Sequence, residues 1–172
     1  MESFVPSRGP FPTTRLRRLR RTAWIRNLVR ECDLQPGDLI WPLFVLPEGV
    51  PAQSIRSMPG VQRLPLEEAV RAAQEAVSLG IGSIALFPVT PPSLKTPDGD
   101  EALHANNLMC STTRAIRQIV GEGLGIVCDV ALDPYTSHGQ DGLVRDNYVV
   151  NDETVAILGQ QAVLQAQAGC DC

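Results

Sequence analysis

The residues best suited to chemistry lie close together, with Asp129, Asp133, Tyr135, His138 and Asp141 all inside the stretch from Asp129 to Gly142. Asp129 follows Ile126, Val127 and Cys128 and precedes Val130, so a carboxylate interrupts an apolar strand. Unless a cation or donor meets it there, it is desolvated, which makes it a candidate catalytic group. The alternative is a structural carboxylate accepting backbone N–H groups at a strand end. Asp133 and Asp141 offer the hard oxygen ligands that Mg²⁺ takes, and no cysteine stands between Asp129 and Gly142 to build a tetrahedral zinc site. Each is also an ordinary turn residue, one before Pro134 and the other before Gly142. His138 is either an acid–base group, a supporting partner or a histidine bonded to loop backbone, and Tyr135 is read as packing. Lys95 is the single lysine of the 172 residues. It sits in a polar loop with no setting suited to imine chemistry and is expected to be a surface charge. Cys170 and Cys172 flank Asp171 and supply too few ligands for a metal site on their own.

Groups of this kind work from loops at the C-terminal ends of parallel strands, and the chain has the elements to place them there. A short helix is expected from Ala23 to Glu31, then a turn at Pro36-Gly37-Asp38 and a buried strand from Leu39 to Leu46. A loop rich in Pro, Gly and Ser follows. Leu66, Ala69, Val70, Ala73 and Val77 then recur at helical spacing, with Glu67 and Glu68 in the first turn and Gly80 at the end. The unit repeats with a strand from Ser83 to Phe87, a hydrophilic loop from Pro88 to Asn106, and a helical stripe of Leu108, Thr112, Ala115, Ile116 and Ile119 closed by Gly121. A third strand is expected from Gly125 to Leu132. After a long polar loop, a third crossover helix follows, capped by Asn151-Asp152, with Val155, Leu158, Ala162 and Ala166 on its apolar face. Three strand–helix units with apolar strands imply a parallel sheet, either an open doubly wound sheet or part of a (β/α)₈ barrel. The loop Pro47-Glu48-Gly49-Val50-Pro51 lacks a dinucleotide-binding glycine fingerprint, which favours the barrel. A whole barrel needs about 250 residues.

Charge divides the chain differently. Residues 1 to 30 hold eight arginines against Glu2, a balance of +7, while residues 31 to 172 hold seven basic and eighteen acidic groups, a balance of −11. Two regions are therefore expected, a basic arm with its short helix over residues 1–35 and the partial barrel over 36–172. The arm suits an acidic surface of this chain or a partner. It also carries the alternative functional reading, an interaction or nucleic-acid-binding module acting through Arg17, Arg18, Arg20 and Arg21. Pro6, Pro10 and Pro12 break the amphipathic helix that a transit peptide would need. No apolar run approaches the roughly 18 residues of a membrane span. Five irregularly spaced cysteines make a disulfide framework improbable, so a reducing cytoplasm is expected.

The string DVALDPYTSHGQDG, Asp129 to Gly142, resembles the metal-region loop of the porphobilinogen synthases, also called 5-aminolevulinate dehydratases. TRLRRLRR from Thr14, LVRE from Leu28, SMPGVQRLPLEE from Ser57 and ALFPVTP from Ala85 agree in order with the same family. The resemblance spans residues 10 to 169. It implies a (β/α)₈ barrel, here its N-terminal part of three to four strand–helix units, with an extended arm that embraces a neighbour, commonly in a homo-octamer. It further implies the condensation of two 5-aminolevulinate molecules to porphobilinogen in tetrapyrrole and heme biosynthesis, with two lysines as Schiff bases and arginines binding a carboxylate. Asp129 matches an aspartate near those lysines. The three zinc-binding cysteines of some members correspond to Ala131, Asp133 and Asp141, which makes zinc doubtful and Mg²⁺ the expected cation. The lysines, the arginines and a serine-bearing fourth strand belong to the family's second half. The chain is therefore expected to be a truncated piece that is inactive alone, and unstable unless another half covers its open edge and apolar strand faces.

Overall fold

A computed structural model of the chain describes residues 9–172. Residues 1–8, with Glu2, Pro6 and Arg8 of the expected arm, lie outside the described residues. The chain divides into two compact units that meet at Leu34 and Gln35.

In the first unit a 3₁₀ turn, Arg18–Arg20, leads to helix α1, Ala23–Leu28, and neither buries a residue. The helix stops three residues short of the expected Glu31. A six-residue helix with no buried stripe has only propensity to sustain it, and that is marginal at this length. Arg26 Nη1 donates to the Arg20 carbonyl at 3.0 Å, and the Arg15 guanidinium lies 5.0 Å from the Phe11 ring centroid.

The second unit is built on strands β1, Ile40–Leu46; β2, Gln53–Ser54; β3, Gln62–Pro65; β4, Ser83–Pro88; and β5, Gly125–Cys128. They form one sheet in the order β2-β3-β1-β4-β5, parallel except for β2. Helix α2, Leu66–Leu79, joins β3 to β4, and helix α3, Leu108–Val120, joins β4 to β5. Pairing puts Trp41, Ile84 and Ile126 side by side, and Leu43, Leu86 and Cys128 in the next layer. These side chains point at Ala69, Ala72, Ala73 and Ala76 of α2 and at Met109 and Ile116 of α3. The small alanines let α2 lie close to the strands. Gly80 ends α2 in the left-handed conformation at φ 73°, which glycine adopts without cost. Gly82 then passes Gly37 so closely that an added Cβ would lie 2.3 Å from the Gly37 carbonyl oxygen.

The two short strands β2 and β3 occupy the loop in which no strand was expected. A segment of two to four residues shows no periodicity, and it is the open edge of β1 that supplies the pairing. Pro42 is tolerated inside β1 because β3 pairs only with Phe44, Val45 and Leu46, so Pro42 has a strand neighbour on one side alone.

Both α2 and α3 cover the same face of the sheet, and helix α4, Asn151–Ala168, packs beside α3. The opposite face carries Ile40, 58% exposed, and the half-buried Phe44 and Phe87, whose ring centroids are 5.5 Å apart. An open doubly wound sheet covers both faces with helices, whereas a barrel keeps its helices outside and turns the other face inward. One-sided cover decides for the barrel. The last residues extend the curve. Cys172 N–H donates to the Ile126 carbonyl and Cys128 N–H to the Cys172 carbonyl, which is the bonding of a parallel neighbour opposite Val127.

Three expectations need correction here. The third strand stops at Cys128 instead of Leu132, because β4 ends at Pro88 and the next residue, Val89, bonds to Val45 of β1. The long loop after it contains a hairpin of β6, Leu143–Arg145, and β7, Tyr148–Val150. Asp146 and Asn147 turn it with φ of 51° and 59°, the positive values that two-residue hairpins require. Finally, α4 begins at Asn151 with Val150 as its cap. It buries Thr154, Gln161, Gln165 and Ala168, while Val155 and Val163 are exposed.

Candidate functional site

Two loops leave the C-terminal ends of β4 and β5 side by side. The first, Val89–Asn107, folds through 3₁₀ turns at Pro92–Leu94 and Asp100–Leu103. The second runs from Asp129 to Gly142. They are zipped together by backbone: Thr96 N–H donates to the Tyr135 carbonyl at 3.2 Å, and Ser137 N–H to the Thr96 carbonyl at 2.9 Å. Asn107 anchors the first loop. Its Oδ1 accepts from Cys110 N–H at 2.8 Å and caps α3, while its Nδ2 donates to the Glu101 and Ala102 carbonyls at 3.2 Å.

Tyr135 packs, as expected, in a small core with Ala102, Leu132 and Leu143 against Ile157 and Leu158. Its ring is 1% exposed, and its hydroxyl is buried with no partner among the described residues. Burial, followed by the neighbouring Cys110 and Cys128 thiols, pushes its pKa up.

The three aspartates emerge from this platform. Asp129 is the first residue after β5 and its side chain is exposed, so the expected burial within an apolar strand does not hold. It is nevertheless partly desolvated. That desolvation first, and the charges of Asp133 and Asp141 second, raise its pKa above the usual carboxylate value. The three carboxylates therefore share one electrostatic neighbourhood, and among the described residues none is salt-bridged to an arginine or lysine. Asp141 spends one oxygen within the loop, where Oδ1 accepts from Leu132 N–H at 2.6 Å. No three His, Cys, Asp or Glu side chains converge on one point among the described residues.

His138 is tied at both ring nitrogens. Nδ1 accepts from Gln140 N–H at 3.1 Å, so Nε2 carries the proton and donates to the Pro97 carbonyl at 2.9 Å. Of its possible roles, backbone bonding across the two loops is the one observed. Lys95 is half-buried in the first loop instead of fully solvated.

Sequence reasoning missed Gln161 and Gln165. Gln161 Nε2 donates to the Ala131 carbonyl and Gln165 Nε2 to the Asp129 carbonyl, both at 3.0 Å. The available signal was the row Thr154, Leu158, Gln161, Gln165 and Ala168, which runs along one face at spacings of three and four. Polar residues in that row hid it behind the aliphatic ones.

Cys170 and Cys172 do not form a pair that faces a ligand. Cys172 is in the strand pairing described above, and Cys170 packs on the main core near Cys128. Burial pushes the Cys128 thiol up to about 12, and Thr113 Oγ1 lies 3.3 Å from its sulfur. Such thiols are inert as nucleophiles at neutral pH.

A parallel sheet covered by helices on one face, with an acidic loop at the C-terminal end of β5, defines the class as a barrel of alternating strands and helices. The sequence profile of the delta-aminolevulinic acid dehydratase family matches residues 13–172, and the chain belongs to that family. The delta-aminolevulinic acid dehydratase of Bradyrhizobium diazoefficiens is 53% identical over 157 residues, which are 91% of this chain and 44% of that protein. The Rhodobacter capsulatus enzyme is 42% identical over 162 residues, 94% of this chain and 48% of its own length. The crystal structure of the Toxoplasma gondii delta-aminolevulinic acid dehydratase (porphobilinogen synthase), in complex with the reaction product porphobilinogen, superposes with a TM-score of 0.85 at 38% identity. That match covers 92% of this chain and 45% of the other. The chain thus spans less than half the length of these relatives. Its fold is the N-terminal part of a (β/α)₈ barrel, three strand–helix units and the opening residues of a fourth strand. The match runs through the arginine segment itself, so the arm belongs to the enzyme family, and a separate nucleic-acid module finds no support.

Proposed function

We propose that this chain supplies the first mouth loops of a porphobilinogen synthase, which condenses two 5-aminolevulinate molecules and releases two waters. The observation that carries the reading is the family match over residues 13–172 together with an Asp129–Gly142 loop built at the C-terminal end of β5, where barrel enzymes place their chemistry. In this reading Asp129 is the supporting catalytic group. Its raised pKa lets it keep a proton longer than an ordinary aspartate, which suits proton transfer beside an amine. The imine-forming amines come from the family's other half, since Lys95 is the only lysine in this chain.

A hard cation fits the loop better than zinc. The donors at Asp133 and Asp141 are carboxylate oxygens without a basic neighbour, and the buried Cys128 points into the core. Mg²⁺ held by one or two carboxylates, with its remaining positions filled by solvent, would relieve the repulsion that Asp129 feels. The arm, with exposed Trp24 and Leu28 among its arginines, is proposed to hold a neighbouring copy in a homo-oligomer. Among the described residues no helix is long and apolar enough to cross a membrane. Unbridged Cys32, Cys110, Cys128, Cys170 and Cys172 suit the reducing cytoplasm proposed for it.

The test is complementation. The chain is refolded with the C-terminal half of the Bradyrhizobium relative and assayed for pyrrole product from 5-aminolevulinate. The expected result is product from the pair and none from either half. Product from this chain alone, or borohydride trapping of substrate on Lys95, would overturn the division of labour. Mg²⁺ at 100 times its Kd should stabilise the chain by about 2.7 kcal/mol, and Asp133→Ala should abolish the effect.

A further inference from the structure

We propose that Gln161 and Gln165 are positioning residues that set the direction of the Asp129 side chain by holding the backbone carbonyls of Asp129 and Ala131. The inference rests on the mouth-loop reading above.

The two glutamines stand one turn apart on α4 and are 0% and 2% exposed. Residues four apart on a helix are separated by about 6 Å along its axis. Carbonyls two apart on an extended chain are separated by about 6.6 Å. Two successive rungs of the helix therefore match two alternate carbonyls of the loop, and both bonds form at 3.0 Å. Strand β5 has ended at Cys128, so the side-chain amides take the place of a strand partner along the next three residues.

The orientation of each amide is fixed by its partner, because an oxygen turned toward a carbonyl would face another acceptor. Both Oε1 atoms are consequently buried with no partner among the described residues. A leucine at either position would fill a similar space without an unbonded Oε1, but it would leave the loop carbonyl without its donor. What glutamine adds is the donor to the loop. With the Asp129 and Ala131 carbonyls turned inward, rotation of the segment about its own axis is fixed, and so is the direction in which its side chains leave it. Asp141 closes the far end by accepting from Leu132 N–H. Nothing else among the described side chains holds the Asp129 carbonyl.

The experiment uses the isotope-labelled 172-residue chain and the single variants Gln161→Met and Gln165→Met, which keep length and remove the donor. In each, Leu132 amide exchange should rise at least about tenfold and the Asp129 Cγ resonance should shift at fixed pH. Ile84 and Ile126 amides should stay within about twofold. Gln165→Glu, protonated at low pH and again a donor, should restore the Asp129 resonance there. Unchanged Leu132 and Asp129 signals in a folded variant overturn the proposal. Equal loss of protection at Ile84 and Ile126, or loss of the fold, overturns it too, because the glutamines would then be supports of the core. In the complemented protein each variant should lower kcat at least tenfold with KM within twofold. If the unaltered pair forms no pyrrole, the functional reading fails, while the exchange and resonance data still decide the role of the glutamines.

Discussion

The main core and the mouth platform of the barrel unit are held together by different means. Between the sheet and helices α2 and α3, the contacts are apolar and layered, Ile84 and Ile126 in one row and Leu86 and Cys128 in the next, against alanines and Ile116. In the mouth the fully buried apolar content is one tyrosine, two leucines and an alanine, with Val150, Ile157 and Leu158 half-buried against them, and much of the order comes from polar groups: Thr96, Asn107, His138, Gln161 and Gln165 all bond to backbone carbonyls or amides. A layered core tolerates change at its surface and fails when a layer is emptied. A bonded platform fails one carbonyl at a time. The carboxylates of Asp129, Asp133 and Asp141 sit on this platform without a salt-bridge partner among the described residues.

The largest expected effect is therefore in the core. Ile84 is 0% exposed at the centre of the sheet, and Ile84→Ala should cost about 4 kcal/mol in urea unfolding, with the cavity term adding to the transfer term. A loss below about 2 kcal/mol would mean that the half-barrel can collapse around the gap, and the contrast with the mouth would dissolve. Asn107→Ala removes one cap and leaves two carbonyls without their donor, so about 2 kcal/mol is expected. Its signature should be local: faster exchange at Cys110 and in the 3₁₀ turn Asp100–Leu103, with β4 protected.

These two sites also show what the sequence makes legible. Ile84 was placed because apolar strands and 3.6-residue stripes announce themselves, and the three parallel strands, helices α2 and α3 and their glycine ends could be read from that pattern. The loop motif of Asp129 to Gly142 was legible by family resemblance. The platform was not legible, because its determinants are single polar residues whose partners lie 30 to 36 positions away, as for Gln161 with Ala131 and Gln165 with Asp129. The end of β5 at Cys128 and the pairing of β3 with β1 depend likewise on where a neighbour happens to stop. The hairpin of β6 and β7 had a local signal, Asp146-Asn147 between two β-prone triplets, that was overlooked.

A smaller effect separates the two ends of β5 by sign. Asp171 accepts from Ile126 N–H at 2.7 Å and pairs with Arg117, and the backbone bond first, then the guanidinium, lower its pKa. Its ionised form adds stability above its unfolded pKa of about 4, and that contribution is lost as pH falls through the folded value. Asp129 behaves oppositely. Folding raises its pKa, so the native state holds the proton more tightly and stability falls as pH rises from about 4 through the folded value. Asp171→Asn should flatten the acid limb of a stability–pH curve, and Asp129→Asn should remove the decline just above it. Asp171 is 55% exposed, which keeps its share to about 1 kcal/mol or less. If both variants shifted the curve in one direction, the assignment of attraction to one end, and of desolvation with like charge to the other, would be wrong.

The smallest effect is also the sharpest, because its sign depends on how the mouth is held. Tyr135 fills the centre of the platform, but its bonds there run through its backbone, the carbonyl to Thr96 and the amide to Leu132. The hydroxyl is buried with no partner among the described residues. Burying an unbonded hydroxyl costs about 1–3 kcal/mol, and part of that cost is recovered when the oxygen is removed without changing the ring. Tyr135→Phe should therefore leave stability unchanged or raise it by up to about 1 kcal/mol, measured as a shift of the urea midpoint at constant m-value. A loss of about 1 kcal/mol or more would show that the hydroxyl is bonded after all. The platform would then have a side-chain keystone, and the Asp129–Gly142 loop would depend on the ring as well as on α4.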